Sequence, residues 1–420
     1  MGVISKLARK GHRLFRSRKN TTASGTKKPR ALFVSHEATR TGAPLIILNI
    51  LKHFREACDI QCETILHNGG PLKNDFQKHS ARRIDCLGIP KEPSGKLRKR
   101  VQKIINRERG NLPILAICNS IESRFIAKEL ADTGIPVLSL IHELPSSYTE
   151  EDYQYIYDLS QRVVFPVHAV RDATNEKTPI PAGKGIVLSQ GLLKPDFGSS
   201  IPRDEARLQI RQELKLPENS FIVLGCGTLD LRKGIDHYAA IARRATETNT
   251  SSTPIHFVWV GEGSRWTHSP YHYVSLDLEK SGTSGHVHFI GERADVEPYF
   301  VGADSFLMSS RVDPFPCVIH EAMVTGLPVI TFANSGGAQE AVADGAGIVV
   351  PYGDYQKTVD VIRMLVEQPE FAVGIREKSK ERVAKRYQFS DYGDKLIDLS
   401  ESVIGTPIRF TGPRIHRAAA

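Results

Sequence analysis

From residue 31 onward, short apolar runs alternate with longer stretches of helical period. The runs at 31–35, 62–66, 84–87, 114–118, 137–141, 162–167 and 186–188 are rich in Val, Ile, Leu and Phe. Gly, Pro, Asn or charged residues bound each of them, which is how strands covered on both faces read. A glycine turn and a helix at 43–54 follow the first run. Around 195–204 the composition turns to Ser, Pro and Asp, and a linker is expected there. The same grammar then restarts, with apolar runs at 221–225, 256–260, 287–290, 305–308, 328–332 and 347–350. Helices fit at about 205–214, 235–246, 316–325, 336–343 and 355–367, followed by amphipathic stretches at 370–386 and 391–403. Strands alternating with helices predict parallel sheets built from βαβ units. A chain of 420 residues exceeds what one core fills. The expected fold is α/β, two doubly wound Rossmann-like domains facing across a cleft, with ligands at the C-terminal ends of the strands. The first domain spans 31–195, and the second spans 196–385. Residues 386–420 then return as a helix onto the first domain before a tail. Stretches 68–80 and 90–109 read as loops without a motif.

Charge changes this picture only at one end. The formal charge is +9, and residues 1–30 alone carry +10 with no Asp or Glu, so the remaining residues sum to −1. A nearly neutral body gives no reason to expect a nucleic-acid partner. Within the tail, Val3, Ile4, Leu7 and Leu14 share one helical face among the cations. Residues 1–30 therefore read either as a solvated basic arm or as a helix on an anionic membrane surface. There is no apolar core of a secretory signal, and no apolar run approaches the roughly 18–20 residues of a membrane span. Six cysteines in a chain this long form no disulfide framework, and the C-x3-C of Cys58 and Cys62 lacks a second pair to complete a zinc site. A reducing compartment suits them.

Chemistry gathers where strands exit. Thr41-Gly42-Ala43-Pro44 links the first strand to the first helix, and Gly42 lets backbone N–H groups approach an anion. His142, in His142-Glu143-Leu144-Pro145, stands at the end of a strand. Arg232-Lys233-Gly234 follows a glycine-rich strand exit, and two adjacent fixed cations there suit a diphosphate. Asp313 and Glu321 flank the start of a helix near Pro316, so the two carboxylates can face different parts of one ligand while the helix offers N–H groups to phosphate.

In this order and spacing the motifs resemble the family-4 retaining glycosyltransferases of the GT-B fold. Gly326-Leu327-Pro328-Val329-Ile330 and Ser335-Gly336-Gly337-Ala338-Gln339-Glu340 continue the likeness, which covers about 31–390. The resemblance implies an enzyme moving a sugar from a UDP-, GDP- or ADP-sugar to a glycan or lipid-linked acceptor. It also implies polysaccharide assembly at the cytoplasmic face of a membrane. Position by position, it implies that Arg232 and Lys233 hold the diphosphate, Glu321 the ribose and Asp313 the donor sugar. His142 lies beside the reacting centre. Gly42 and the backbone of Val318 and Ile319 complete the phosphate cradle, and Glu292 and Arg293 meet the base. Asp313 departs from the family's usual Glu by one methylene. No D-x-D triplet occurs, so no metal and no further cofactor is expected. A non-catalytic nucleotide-sugar binder of the same fold is the alternative. An epimerase or a phosphorylase fits less well, the latter lacking a motif for pyridoxal phosphate.

Overall fold

A computed structural model describes residues 28–87, 95–106 and 111–410. Seven strands, β1 (Arg30–Ser35), β2 (Gln61–Leu66), β3 (Arg82–Asp85), β4 (Pro113–Asn119), β5 (Val137–Leu140), β6 (Arg162–Phe165) and β7 (Gly185–Val187), form one sheet in the order 3-2-1-4-5-6-7. Six more, β8 (Phe221–Cys226), β9 (Ile255–Val260), β10 (Val287–Gly291), β11 (Ser305–Met308), β12 (Val329–Phe332) and β13 (Ile348–Val350), form a second in the order 10-9-8-11-12-13. All neighbours within each sheet are parallel. Most strands are predominantly apolar because helices cover both faces, and β1, β9 and β11 are buried along their whole length, whereas the edge strand β3 is Arg82-Arg83-Ile84-Asp85 and buries only Ile84. Every apolar run singled out above becomes one of these strands, and the architecture is GT-B.

Two stretches that read as loops hold helices. Lys73–His79 is a helix that buries a single residue, Phe76. Gly95–Ile105 buries Leu97, Val101, Ile104 and Ile105 at helical spacing beneath a face of cations. The tail also ends earlier than its charge suggests. Arg30 opens β1 fully buried, its guanidinium paired with both Glu63 oxygens at 3.0 and 2.9 Å and donating to the Asn111 carbonyl at 2.8 Å. The rest of the basic arm, through residue 27, lies outside the described residues.

The chain crosses between the sheets twice, at one place. Gly191 lies so close to the returning segment that a Cβ there would stand 2.4 Å from the Tyr387 carbonyl, and Leu192 N–H donates to that carbonyl at 2.8 Å. Beyond this crossing the helix Phe389–Ile404 packs on the helix Gly42–Ala57, where His53 and Asp394 meet at 3.1 Å. A further tie runs from Glu340 to the helix His168–Lys177. Its carboxylate accepts from the free N–H groups of His168 and Ala169 at 3.1 and 2.6 Å, a side-chain cap supplied from the opposite domain.

Candidate functional site

In each sheet the strand order reverses once, between β1 and β4 and between β8 and β11. Such a reversal opens a crevice at the C-terminal ends of the strands. The motifs sit around these two crevices. Thr41–Ala43 follows β1, Asn119 ends β4, and His142 follows β5; Arg232 and Lys233 follow β8, and Asp313 follows β11.

Lys233 and Asp313 form the centre of the second crevice. Lys233 Nζ lies 2.5 Å from Asp313 Oδ2, and both side chains are largely withdrawn from solvent. Arg232 stands at the rim, half exposed, 3.9 Å from the same oxygen. Its loop is braced by a residue that the sequence did not single out. Arg311 grips Asp236 with two bonds of 2.7 and 2.5 Å, and both its backbone and its guanidinium bond the loop at the Arg232 and Leu231 carbonyls. Asp313 is held through its backbone, donating to Ser335 at 2.8 Å and accepting from Gly337 at 3.2 Å.

Just beyond Asp313 the helix Cys317–Val324 begins, with no side-chain cap. Its N-terminus carries partial positive charge, and the N–H of Val318 has no acceptor among the described residues. Gly42 of the other domain faces this end, and a Cβ on it would touch Cys317 Sγ at 3.4 Å. The Cys317 thiol is pushed up to about 12 by burial, Glu321 and Asp313 adding to the shift and Lys233 opposing it. All three charges therefore act on one spot at the helix start. Glu321, one turn further, is half-buried, and no hydrogen-bond donor reaches its carboxylate among the described residues. Burial, with the charge of Glu297 behind it, pushes its carboxyl from 4.5 to about 7.

On the first domain, His142 Nε2 meets Asn119 Oδ1 at 2.8 Å, and burial with the nearby His36 pushes the imidazole down to about 4. Glu143 turns inward to accept from the N–H groups of His142 and Ile121 at 2.9 and 3.3 Å and from the Ser120 hydroxyl. Arg232, Lys233, Asp313, Val318, Ile319, Glu321 and Gly42 are thus gathered around one helix end. The remaining pair is arranged differently. Glu292 is exposed, while the Arg293 guanidinium turns to Glu213 at 2.7 Å and Tyr299 at 3.0 Å within its own domain. That loop keeps its backbone and the exposed carboxylates of Glu292 and Asp295 to offer a ligand. No cluster of three metal-ligating side chains occurs among the described residues.

Residues 206–382 match the family model described as glycosyl transferases group 1. The chain is 28% identical over 195 residues to the lipopolysaccharide core biosynthesis glycosyltransferase LpsE of Rhizobium meliloti, covering 46% of this chain and 53% of that protein. It is 28% identical over 177 residues to the lipopolysaccharide glucosyltransferase WaaG of Escherichia coli, covering 42% and 45%. The chain spans about half the length of the curated relatives it matches. Among solved structures, Anabaena HepE in complex with UDP and glucose superposes with a TM-score of 0.77 at 19% identity, over 89% of this chain and 100% of that one. Sucrose-phosphate synthase from Thermosynechococcus elongatus superposes with a TM-score of 0.72 at 18% identity, over 90% and 100%. Residues 206–382 are thus a glycosyl transferases group 1 domain.

Proposed function

We propose that the protein is a retaining, metal-independent glycosyltransferase that moves a sugar from a nucleotide-diphosphate sugar to a glycan or lipid-linked acceptor. One observation carries this reading: the Lys233–Asp313 pair stands beside the uncapped end of the helix Cys317–Val324, with Glu321, whose carboxylate no donor reaches among the described residues, one turn away. A diphosphate takes Lys233 and the helix N–H groups, a ribose takes Glu321, and Arg232 closes from the rim. Breaking the sugar–phosphate bond leaves negative charge on the departing nucleotide. Cations and N–H groups already aimed at that position stabilise it without reorganisation. Once Lys233 turns to the diphosphate, Asp313 is released to accept a hydroxyl of the donor sugar. The site's two carboxylates are then committed to hydroxyl groups, which agrees with same-face substitution without a protein nucleophile.

HepE was solved with UDP and with UDP-glucose, so UDP-sugars lead the panel, with GDP- and ADP-sugars beside them. The test is release of nucleotide from each sugar in EDTA. The expected outcome is slow, metal-free release from one donor, accelerated by the right acceptor. Tight binding with no release under any acceptor would mark a non-catalytic binder; dependence on a divalent ion would overturn the metal-free mechanism.

The acceptor reading includes a membrane. The names of LpsE and WaaG place those relatives in lipopolysaccharide assembly, and the basic residues of 1–27 suit an anionic bilayer. Lys28 enters the fold beside the helix Gly95–Ile105, with Asn111 donating to its carbonyl at 3.3 Å and Arg30 reaching Ile104 at 3.5 Å. That helix exposes Lys96, Arg98, Lys99, Arg100 and Lys103 and contains no acid. Each cation near an anionic surface contributes about 1 kcal/mol. The protein is expected to sediment with vesicles containing phosphatidylglycerol and not with pure phosphatidylcholine, and to be released at about 0.5 M salt, where the Debye length shrinks to a few ångströms. Deleting residues 1–27 should weaken this binding, and adding Lys96→Glu, Lys99→Glu and Lys103→Glu should abolish it. Unchanged sedimentation of the combined variant would overturn the membrane role.

A further inference from the structure

We propose that Asn119 is the positioning residue of His142, a single buried amide that fixes the proton of the imidazole on Nε2 and ties the ring to the turn facing the phosphate. The importance of His142 to turnover rests on the function proposed above; the bond itself does not. Asn119 ends β4 at the strand-order reversal, and its side chain is fully buried. Its backbone is pinned, since its carbonyl accepts from the Ser123 hydroxyl at 2.7 Å. The next residue, Ser120, sits at φ +73°, a conformation that costs energy for any residue but glycine and gathers at functional loops.

The orientation of the amide follows from its partners. Asn119 Nδ2 lies 2.9 Å from the Ala43 carbonyl, which can only accept, so the NH₂ end of the amide must face it. Oδ1 is thereby directed at His142 Nε2, 2.8 Å away. An amide oxygen also only accepts, so the ring must carry its proton on Nε2. In the neutral imidazole this leaves Nδ1 as the acceptor. His142 therefore offers a sugar hydroxyl a lone pair and has no proton to give to the leaving group. Two titratable groups bear on the ring. His36 opposes its protonation, and Glu143 is engaged by the His142 N–H, Ile121 and Ser120. Ala43 follows Gly42 directly, so the same amide connects the ring to the backbone that faces the helix Cys317–Val324.

Three variants separate positioning from mere stability. Asn119→Leu keeps the branched shape of the side chain and removes both bonds. Asn119→Asp keeps an acceptor for Nε2 but sets a second oxygen against the Ala43 carbonyl and favours the imidazolium. His142→Ala identifies the ring's resonances. Long-range proton–nitrogen spectra of the full chain with labelled histidine should show His142 as the Nε2–H form from pH 9 to pH 5 in the wild type. In Asn119→Leu a mixture of tautomers is expected, and in Asn119→Asp a ring that takes up a proton near neutrality. In turnover, Asn119→Leu should lose about 10²-fold in kcat with little change in KM, as expected for misdirecting a ring that must present one nitrogen. Asn119→Asp should gain an acid limb near pH 7 and approach wild-type rates above pH 8. An unchanged tautomer in Asn119→Leu overturns the proposal whatever the enzyme transfers. Altered tautomers with wild-type kcat would confirm the bond and overturn its role in the reaction.

Discussion

Lys233→Ala is expected to lower kcat/KM for the nucleotide sugar by about 10³-fold, close to 4 kcal/mol of transition-state stabilisation and the upper end for one fixed charge-stabilising group. Two losses combine in this variant. The diphosphate loses its buried cation, and Asp313 becomes an unpaired carboxylate beside the place where negative charge develops. Arg232 cannot take over, because it stands half exposed at 3.9 Å and donates to the Val312 carbonyl instead. Arginine at 233 should not rescue fully either. The lysine stem lies over Gly227, its Cδ and Cε 3.2 Å from where a Cβ would be, and a planar fork does not fit that channel. The discriminating variant is Lys233→Ala with Asp313→Asn. Removing the orphaned charge should recover about tenfold in affinity for free nucleotide diphosphate, measured by calorimetry, while kcat stays low. If the double variant binds no better than Lys233→Ala, the repulsion invoked here is absent. Melting curves of all three variants guard against simple unfolding.

The strands could be read because parallel strands covered on both faces are continuous apolar runs, a signal carried locally. Helices were legible only where such a run or a motif framed them. Lys73–His79 buries Phe76 alone and so has no periodicity to see. Gly95–Ile105 does have it, at Leu97, Val101, Ile104 and Ile105, but its density of charge reads as a loop. Arg30 was counted with the tail because nothing near it in sequence reveals Glu63, its partner from the neighbouring strand. The site divides in the same way. Lys233 and Asp313 stand after strand exits and Glu321 lies in the helix that follows, and all three are legible through the motifs around them. Asn119, Arg311 and Glu340 act through partners between 23 and 172 residues away, and the contact of Glu340 exists only because the two domains pack together. Residues that touch a ligand are marked by their chemistry, whereas residues that aim them are marked by geometry, and geometry is not written locally.

Glu321→Gln is expected to do two opposite things, strengthening the empty protein and weakening its grip on the nucleotide. Glu321 has its carboxyl raised from 4.5 to about 7, chiefly by burial. The sign follows directly. Between those two values the native state holds a proton that the unfolded chain has released, so stability falls as pH rises through this window, and the full penalty is present above pH 7. For a half-buried group the penalty is on the order of 2 kcal/mol. Glutamine carries no such charge, so Glu321→Gln should melt about 4–8 °C higher than wild type at pH 8 and close to wild type at pH 5. Binding reverses the balance. Two ribose hydroxyls give an ionised Glu321 the donors it lacks, so wild-type affinity should fall about tenfold for each pH unit below 7. Glu321→Gln should bind about 10²-fold more weakly at pH 8 and show no such slope. Calorimetry in buffers of different ionisation heat adds an independent count, since wild type should release a proton on binding at pH 6.5 and the variant none. A variant that melts lower at pH 8, or a wild-type affinity flat from pH 6 to 8, would remove Glu321 from the ribose. The stability lost to an unpaired carboxylate is what makes it available to the ligand, so function and instability here have one cause.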